Sequence, residues 1–143
     1  MSAPTLTAAP STERVAAAWF ALQAVLGVVL WIGIGTSDVV REAFDLVPAR
    51  AAVTDAFFLA DMVVVATSAV AAWALVRRRR WALVAVGATV GGVVYPTAYL
   101  LSWVRANDGD NAVALAVMLM TSVLSCWAAY LAWRALGPDG GTT

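Results

Sequence analysis

The sequence contains no histidine, no lysine and only one cysteine among its 143 residues. A single thiol, Cys126, cannot close a disulfide within the chain or form a Cys-x-x-Cys redox pair. Without histidine there is no histidine-ligated haem, no His-based zinc or copper site and no Glu-x-x-His pair for a di-iron centre. We therefore expect no cofactor and no bound metal. Cys126 itself is expected to be a small core residue.

Charged residues are also scarce, at 13% of the chain, and nine arginines balance nine acids. A chain without net positive charge gives no reason to expect a nucleic-acid partner. Hydrophobic residues make up 62% of the sequence, whereas soluble domains contain about 45–50%. A water-facing surface on so small a protein cannot accommodate that excess. The sequence therefore indicates a one-domain integral membrane protein with membrane lipids as partners.

Four apolar stretches are long enough to cross a bilayer, which takes about 20 helical residues. They cover residues 15–34, 51–76, 81–104 and 112–133. Short links join them, so the sequence predicts an all-α membrane protein with an antiparallel four-transmembrane-helix bundle over residues 13–136. Residues 1–12 are small and polar with two prolines, which predicts a disordered N-terminal tail. Residues 137–143, which begin with Gly and Pro, are predicted to be a flexible C-terminal tail.

The link between the first and second spans has a helical pattern of its own. Over residues 38–47, one stripe is apolar, formed by Val39, Val40, Ala43, Phe44 and Val47. Arg41, Glu42 and Asp45 occupy the other side. This pattern predicts a short amphipathic helix in the plane of the membrane surface. The alternative is an ordered connector packed on the bundle.

The arginines predict an orientation. Six of the nine lie on the side of the two termini: Arg14, the run at 77–80, and Arg134. The positive-inside rule then puts both termini in the cytoplasm, with the chain in the cell membrane. The use of arginine without lysine, with many alanines and valines, indicates a bacterial source. We interpret the run at 77–80 as a topology anchor, with a lipid-headgroup site as the alternative.

Counting 1.5 Å per residue from the predicted outer ends of the spans gives the depth of each polar side chain. One polar residue from each helix falls roughly 14–17 Å deep: Gln23, Asp61, Tyr95 and Ser122. Asp55 and Tyr99 form a shallower pair at roughly 6–8 Å. The sequence therefore predicts a mid-membrane polar layer around Asp61, with ligand-binding candidates Gln23, Asp61, Tyr95, Tyr99 and Ser122.

Asp61 is the strongest functional candidate in this layer. An ionised carboxylate at that depth costs a few kcal/mol or more unless it is paired or hydrated, and no arginine lies within a predicted span. We expect Asp61 to face the bundle interior and to be protonated, with Tyr95, Gln23 and Ser122 as hydrogen-bond partners. The alternatives are an interhelical clamp that fixes helix register and a wet crevice that opens to the outer side.

Two backbone features mark the third span. Pro96 removes the hydrogen bond to the carbonyl of Gly92 and predicts a kink beside Tyr95. Gly87 and Gly91 form a small-xxx-small pattern, which predicts close approach of a neighbouring helix within the bundle.

Three functions remain open on these residues. The first is a carrier or accessory protein that binds a lipophilic or cationic small ligand near Asp61, as a homodimer or with a larger membrane complex. The second is a membrane enzyme of isomerase or cyclase type that uses acid catalysis on an isoprenoid or lipid, with Asp61, Asp55 and Tyr95 as catalytic candidates. The third is a structural subunit of a membrane complex.

Overall fold

The computed structural model describes residues 11–45, 54–106 and 111–137. A long helix α1 (Thr12–Thr36) is followed by a short helix α2 (Asp38–Phe44) and by three long helices, α3 (Phe58–Val76), α4 (Ala82–Ala106) and α5 (Ala112–Leu136). The four long helices are long and apolar enough to cross a membrane. The predicted fold class, a four-helix membrane bundle with a short helix after the first span, is confirmed. Most of the two predicted tails, residues 1–10 and 138–143, lies outside the described residues.

The long helices form a closed ring in which α1 packs against α3 and α5, and α4 packs against the same two helices. Trp31, near the end of α1, contacts Asp61 at the start of α3, and Trp19, near the start of α1, contacts Ser125 in the second half of α5. Short links join α3 to α4 and α4 to α5, so neighbouring long helices run antiparallel. The start of α1, the turn between α3 and α4 and the end of α5 therefore lie at one end of the bundle, which we call the inner end. The opposite end, which carries α2, is called the outer end.

Capping residues and charge pairs fix the links. Ser37 has an extended backbone that separates α1 from α2, and its hydroxyl accepts a hydrogen bond from the Val40 amide at 3.4 Å. Asn111 precedes α5 with φ 71°, a conformation that asparagine tolerates better than most residues. Arg78, in the turn after α3, also has positive φ, at 50°. Its guanidinium pairs with Glu13, which ties this turn to the start of α1.

The predicted second span is not one continuous helix. Residues 54 and 55 are helical, residues 56 and 57 form a turn, and α3 begins only at Phe58. The Phe57 amide donates to the Thr54 carbonyl at 3.0 Å, which closes this turn. Asp55 is exposed and pairs with Arg41 of α2. Asp61 consequently lies in the first turn of α3.

Small residues dominate the core of the inner half. Alanines from all four long helices pack there around Phe20 and Leu75, both fully buried. Large apolar side chains instead face outward; Leu59 is 73% exposed and Val84 is 75% exposed. Such a surface is stable only in an apolar solvent, which agrees with a membrane protein.

Two expectations about small residues are wrong. Cys126 is exposed on α5, because the neighbouring Ser125 takes the fully buried position. Gly87 and Gly91 meet no neighbouring helix: a Cβ added at either would have no described atom within 4 Å. The close approaches lie at other glycines. A Cβ at Gly27 would be 2.5 Å from Val65, and one at Gly92 would be 2.9 Å from Val64.

The short helix α2 packs on the bundle along one edge. Val40 and Phe44 are partly buried against the bundle, whereas Val39 and Ala43 are exposed. The predicted apolar stripe therefore divides into one edge that packs on protein and one edge that faces outward. Val47, the last residue of the stripe, lies outside the described residues.

Candidate functional site

A cavity of about 110 Å³ lies at the outer end of the bundle. All four long helices, α2 and the segment before α3 contribute to its wall. The lining is almost entirely apolar and includes the rings of Trp31, Phe44, Phe57 and Tyr99. The lining residues that carry polar side-chain groups are Trp31, Thr54, Asp61 and Tyr99. Concave, mostly apolar sites with a few placed polar groups are the usual form of small-molecule sites in proteins.

Asp61 is oriented by a tryptophan of the neighbouring helix. The indole Nε1 of Trp31 donates a hydrogen bond to Asp61 Oδ2 at 3.0 Å. The indole ring meets Phe58 edge-on, with ring centroids 5.0 Å apart and planes at 79°, which restricts its position. No hydrogen bond to Oδ1 is present among the described residues, so this oxygen stays available to a bound molecule.

Thr54 contributes an unsatisfied polar atom to the cavity. Its side chain is 5% exposed, and its Oγ1 has no hydrogen-bond partner in the described part of the chain. Such a buried hydroxyl costs roughly 1–3 kcal/mol unless a partner is present. The cavity therefore presents two groups with unused hydrogen-bonding capacity, Asp61 and Thr54.

The short helix α2 covers one side of the cavity through Phe44. Arg41 fixes its position with two kinds of contact. Its Nε donates to the Ile34 carbonyl at 3.2 Å, and its guanidinium pairs with Asp55 at 3.4 Å. These contacts connect α2 to the end of α1 and to the segment that precedes α3. The ion pair is exposed, so it positions α2 without adding much stability.

Two further polar clusters lie deeper in the bundle, apart from the cavity. In the first, Ser125 donates to Gln23 Oε1 at 2.8 Å and accepts from Trp19 Nε1 at 3.1 Å. In the second, the hydroxyls of Thr97 and Ser122 are 2.8 Å apart, and Thr97 also donates to the Val93 carbonyl. Each cluster joins two helices, and in the first one Gln23 Nε2 has no hydrogen-bond partner among the described residues.

The predicted site residues consequently separate. Asp61 and Tyr99 line the cavity, whereas Gln23 and Ser122 belong to the two deeper clusters. Tyr95 is 79% exposed and faces away from the bundle, because it lies about 100° around α4 from the cavity-lining Pro96. Asp55 pairs with Arg41 and does not line the cavity.

Depth counting predicted one polar layer, whereas the structure contains three separate polar contacts. The count placed Asp61 ten residues into a helix that began at residue 51. Because α3 begins at Phe58, Asp61 lies close to the outer end and level with Trp31 instead of Gln23.

Sequence reasoning did not assign Trp31, Thr54 or Phe57 to the site. The signal at Trp31 is chemical, because a buried indole N–H needs an acceptor and the Asp61 carboxylate is one. Thr54 lies seven residues before Asp61, close to two turns of a continuous helix, but the turn at residues 56 and 57 interrupts that helix, so the spacing alone does not place Thr54 at the cavity.

The described residues contain no group of three or more metal-ligating side chains. Comparisons of this chain with known protein families, curated proteins and solved structures found no match. The chemistry of the cavity is therefore the basis for inferring function.

Proposed function

We propose that this chain is a membrane-embedded binding protein, a carrier or accessory subunit, for a small lipophilic or cationic ligand. The ligand occupies the outer-end cavity beside Asp61. The observation that carries the proposal is the combination of an acidic side chain, a hydroxyl with no partner among the described residues and four aromatic rings around one largely apolar space. A residue that served only to clamp helices would have no need of a cavity beside it.

Acid catalysis on an isoprenoid or lipid is the second candidate, and its support is weaker. That mechanism needs a base near the acid. Of the two other catalytic candidates, Asp55 is bound to Arg41, and Tyr95 faces outward. Among described cavity-lining residues, Tyr99 is the only other titratable side chain. The placement of these groups favours binding over turnover.

The substitution Asp61→Asn tests the proposal. Asparagine keeps the shape of the side chain and can still accept the Trp31 hydrogen bond, so we expect normal folding and a melting temperature close to that of the unmodified chain. Mass spectrometry of extracts from the purified proteins would then measure any retained small molecule. We expect the Asn variant to retain roughly tenfold less of it than the unmodified chain.

Asp38→Asn is the matched control, because it removes the same charge from an exposed position on α2 that does not line the cavity. This control should retain the molecule in full. If Asp61→Asn also retains it, or if no preparation contains a small molecule, the carrier proposal fails and the structural subunit becomes the better explanation.

We further propose that the chain resides in a bacterial cell membrane with its inner end in the cytoplasm. Support comes from the six arginines at that end: Arg14, those at 77–80, and Arg134. Single cysteines introduced as Asp45→Cys and Asp108→Cys, with Cys126→Ala, should react with an impermeant thiol reagent on intact cells. Thr142→Cys should react only after lysis. Labelling of Thr142→Cys on intact cells would contradict this orientation.

A further inference from the structure

The unused hydrogen-bonding capacity of the cavity favours a ligand that donates hydrogen bonds. Trp31 Nε1 is already engaged by Asp61 Oδ2, which leaves Asp61 Oδ1 as an acceptor and the Thr54 hydroxyl as a group that can accept or donate. No arginine lines the cavity among the described residues. An occupant with N–H groups would satisfy both oxygens, and a positive charge on it would balance an ionised Asp61.

The aromatic rings of the cavity wall also favour a cationic ligand. Trp31, Phe44, Phe57 and Tyr99 all line the cavity. The face of an aromatic ring carries partial negative charge and attracts a cation within about 6 Å, most strongly where water is excluded. The four aromatic rings and the Asp61 carboxylate together should bind a cation more tightly than a neutral molecule of equal size.

The charged residues around the outer end also favour a cationic ligand. Outside the cavity, the described residues there include four acids, Asp38, Glu42, Asp45 and Asp55, against two arginines, Arg41 and Arg105. Arg41 is paired with Asp55, so its charge is balanced locally. A surface with excess negative charge raises the local concentration of cations.

The volume limits the size of the ligand. A cavity of about 150 Å³ in another protein holds benzene, and this one measures about 110 Å³. It fits an ion of roughly four to six non-hydrogen atoms. The mostly apolar lining requires that the remainder of the ion be hydrocarbon.

We infer that the outer-end cavity is a site for a small primary alkylammonium ion, whose N–H groups bind Asp61 and Thr54 while its hydrocarbon part packs among the aromatic rings. This inference rests on the proposed function and specifies the ligand class of the same site. It assigns Thr54 a role as hydrogen-bond acceptor and the rings a role in selecting charge.

Calorimetric titration of the full chain in lipid nanodiscs tests the inference, with empty nanodiscs as the blank. The probes are isobutylammonium and 2-methyl-1-propanol, which have nearly the same shape and differ in charge. We expect the ammonium ion to bind roughly tenfold or more tightly than the alcohol. Asp61→Asn should remove that difference, and Asp38→Asn should preserve it.

Thr54→Val separates a binding role from a structural one. The change removes a buried hydroxyl that has no partner in the described ranges and keeps the side-chain shape, so the melting temperature should rise. Isobutylammonium should nevertheless bind roughly threefold to tenfold more weakly. A variant that gains stability and keeps full ammonium affinity would contradict the role of Thr54 in the inference.

The remaining outcomes distinguish this inference from the proposed function. Equal affinity for the alcohol and the ammonium ion would overturn the ligand class and leave a cavity that binds small molecules. Failure of both probes to bind also overturns the ligand class. The proposed function fails in addition only if the purified chain carries no small molecule that depends on Asp61.

Discussion

At the inner end of the bundle, alanines of α1, α3, α4 and α5 pack directly against one another, whereas at the outer end aromatic rings line a space between the same helices. Ala71, Ala74, Ala82 and Ala128 are completely buried in the inner cluster. At the outer end, the buried apolar cluster of the described residues consists of Leu100, Val104 and Ala114. One set of four helices therefore forms a closed half and an open half.

This difference follows from side-chain size at the helix contacts. Small residues let helix backbones approach closely, so van der Waals packing between helices is strongest where alanine and glycine face a neighbour. Large rings prevent such an approach and leave gaps where their shapes do not match. The closed inner half provides a rigid base, and the open outer half provides room for a ligand.

Leucine substitutions in the two halves of the bundle test this difference in packing, and they have the largest expected effect. Ala71→Leu adds bulk to the closed half, where no space exists, and should lower the free energy of unfolding by about 1–3 kcal/mol. Ala114→Leu adds the same bulk next to the cavity and should cost clearly less, because the new side chain can occupy the open space. Equilibrium unfolding in mixed detergent micelles measures both effects.

Ala66→Leu is the control for both variants, since Ala66 is exposed on the same helix as Ala71. Its stability should change by less than about 0.5 kcal/mol. Ala114→Leu should also weaken binding of isobutylammonium, since it fills the site. Equal destabilisation by Ala71→Leu and Ala114→Leu would mean that the two halves are packed alike.

The helical spans could be predicted because they depend on a sum over many residues. An apolar stretch of about 20 residues specifies a spanning helix whichever individual side chains it contains. The predicted spans at 15–34, 81–104 and 112–133 correspond to α1, α4 and α5 within a few residues at each end. Such boundary differences are normal for helix ends.

The site could be predicted only in part, because it depends on single turns and directions. A turn at residues 56 and 57 delays the start of α3 and moves Asp61 roughly 10 Å nearer the helix end than the count gave. The depth of Tyr95 says nothing about its direction, and the adjacent Pro96 faces the cavity in its place. Asp61 was identified because a carboxylate in an apolar run needs an explanation whatever its depth.

The glycines of α4 show the same dependence on direction, and they give the prediction with the smallest expected effect. Gly91 and Gly92 are adjacent, but only Gly92 faces a neighbouring helix. In Gly92→Ala the new Cβ would lie 2.9 Å from Val64 Cγ2, and valine is stiff about χ1, so the helices must move apart. We expect a loss of about 1 kcal/mol in the free energy of unfolding.

In Gly91→Ala the new Cβ meets no described atom within 4 Å, so the higher helix propensity of alanine should stabilise the chain by about 0.5 kcal/mol. The same detergent unfolding measurement gives both values. If both variants gain stability, α3 and α4 are not in close contact at Gly92, and the tight packing assigned to this pair is incorrect.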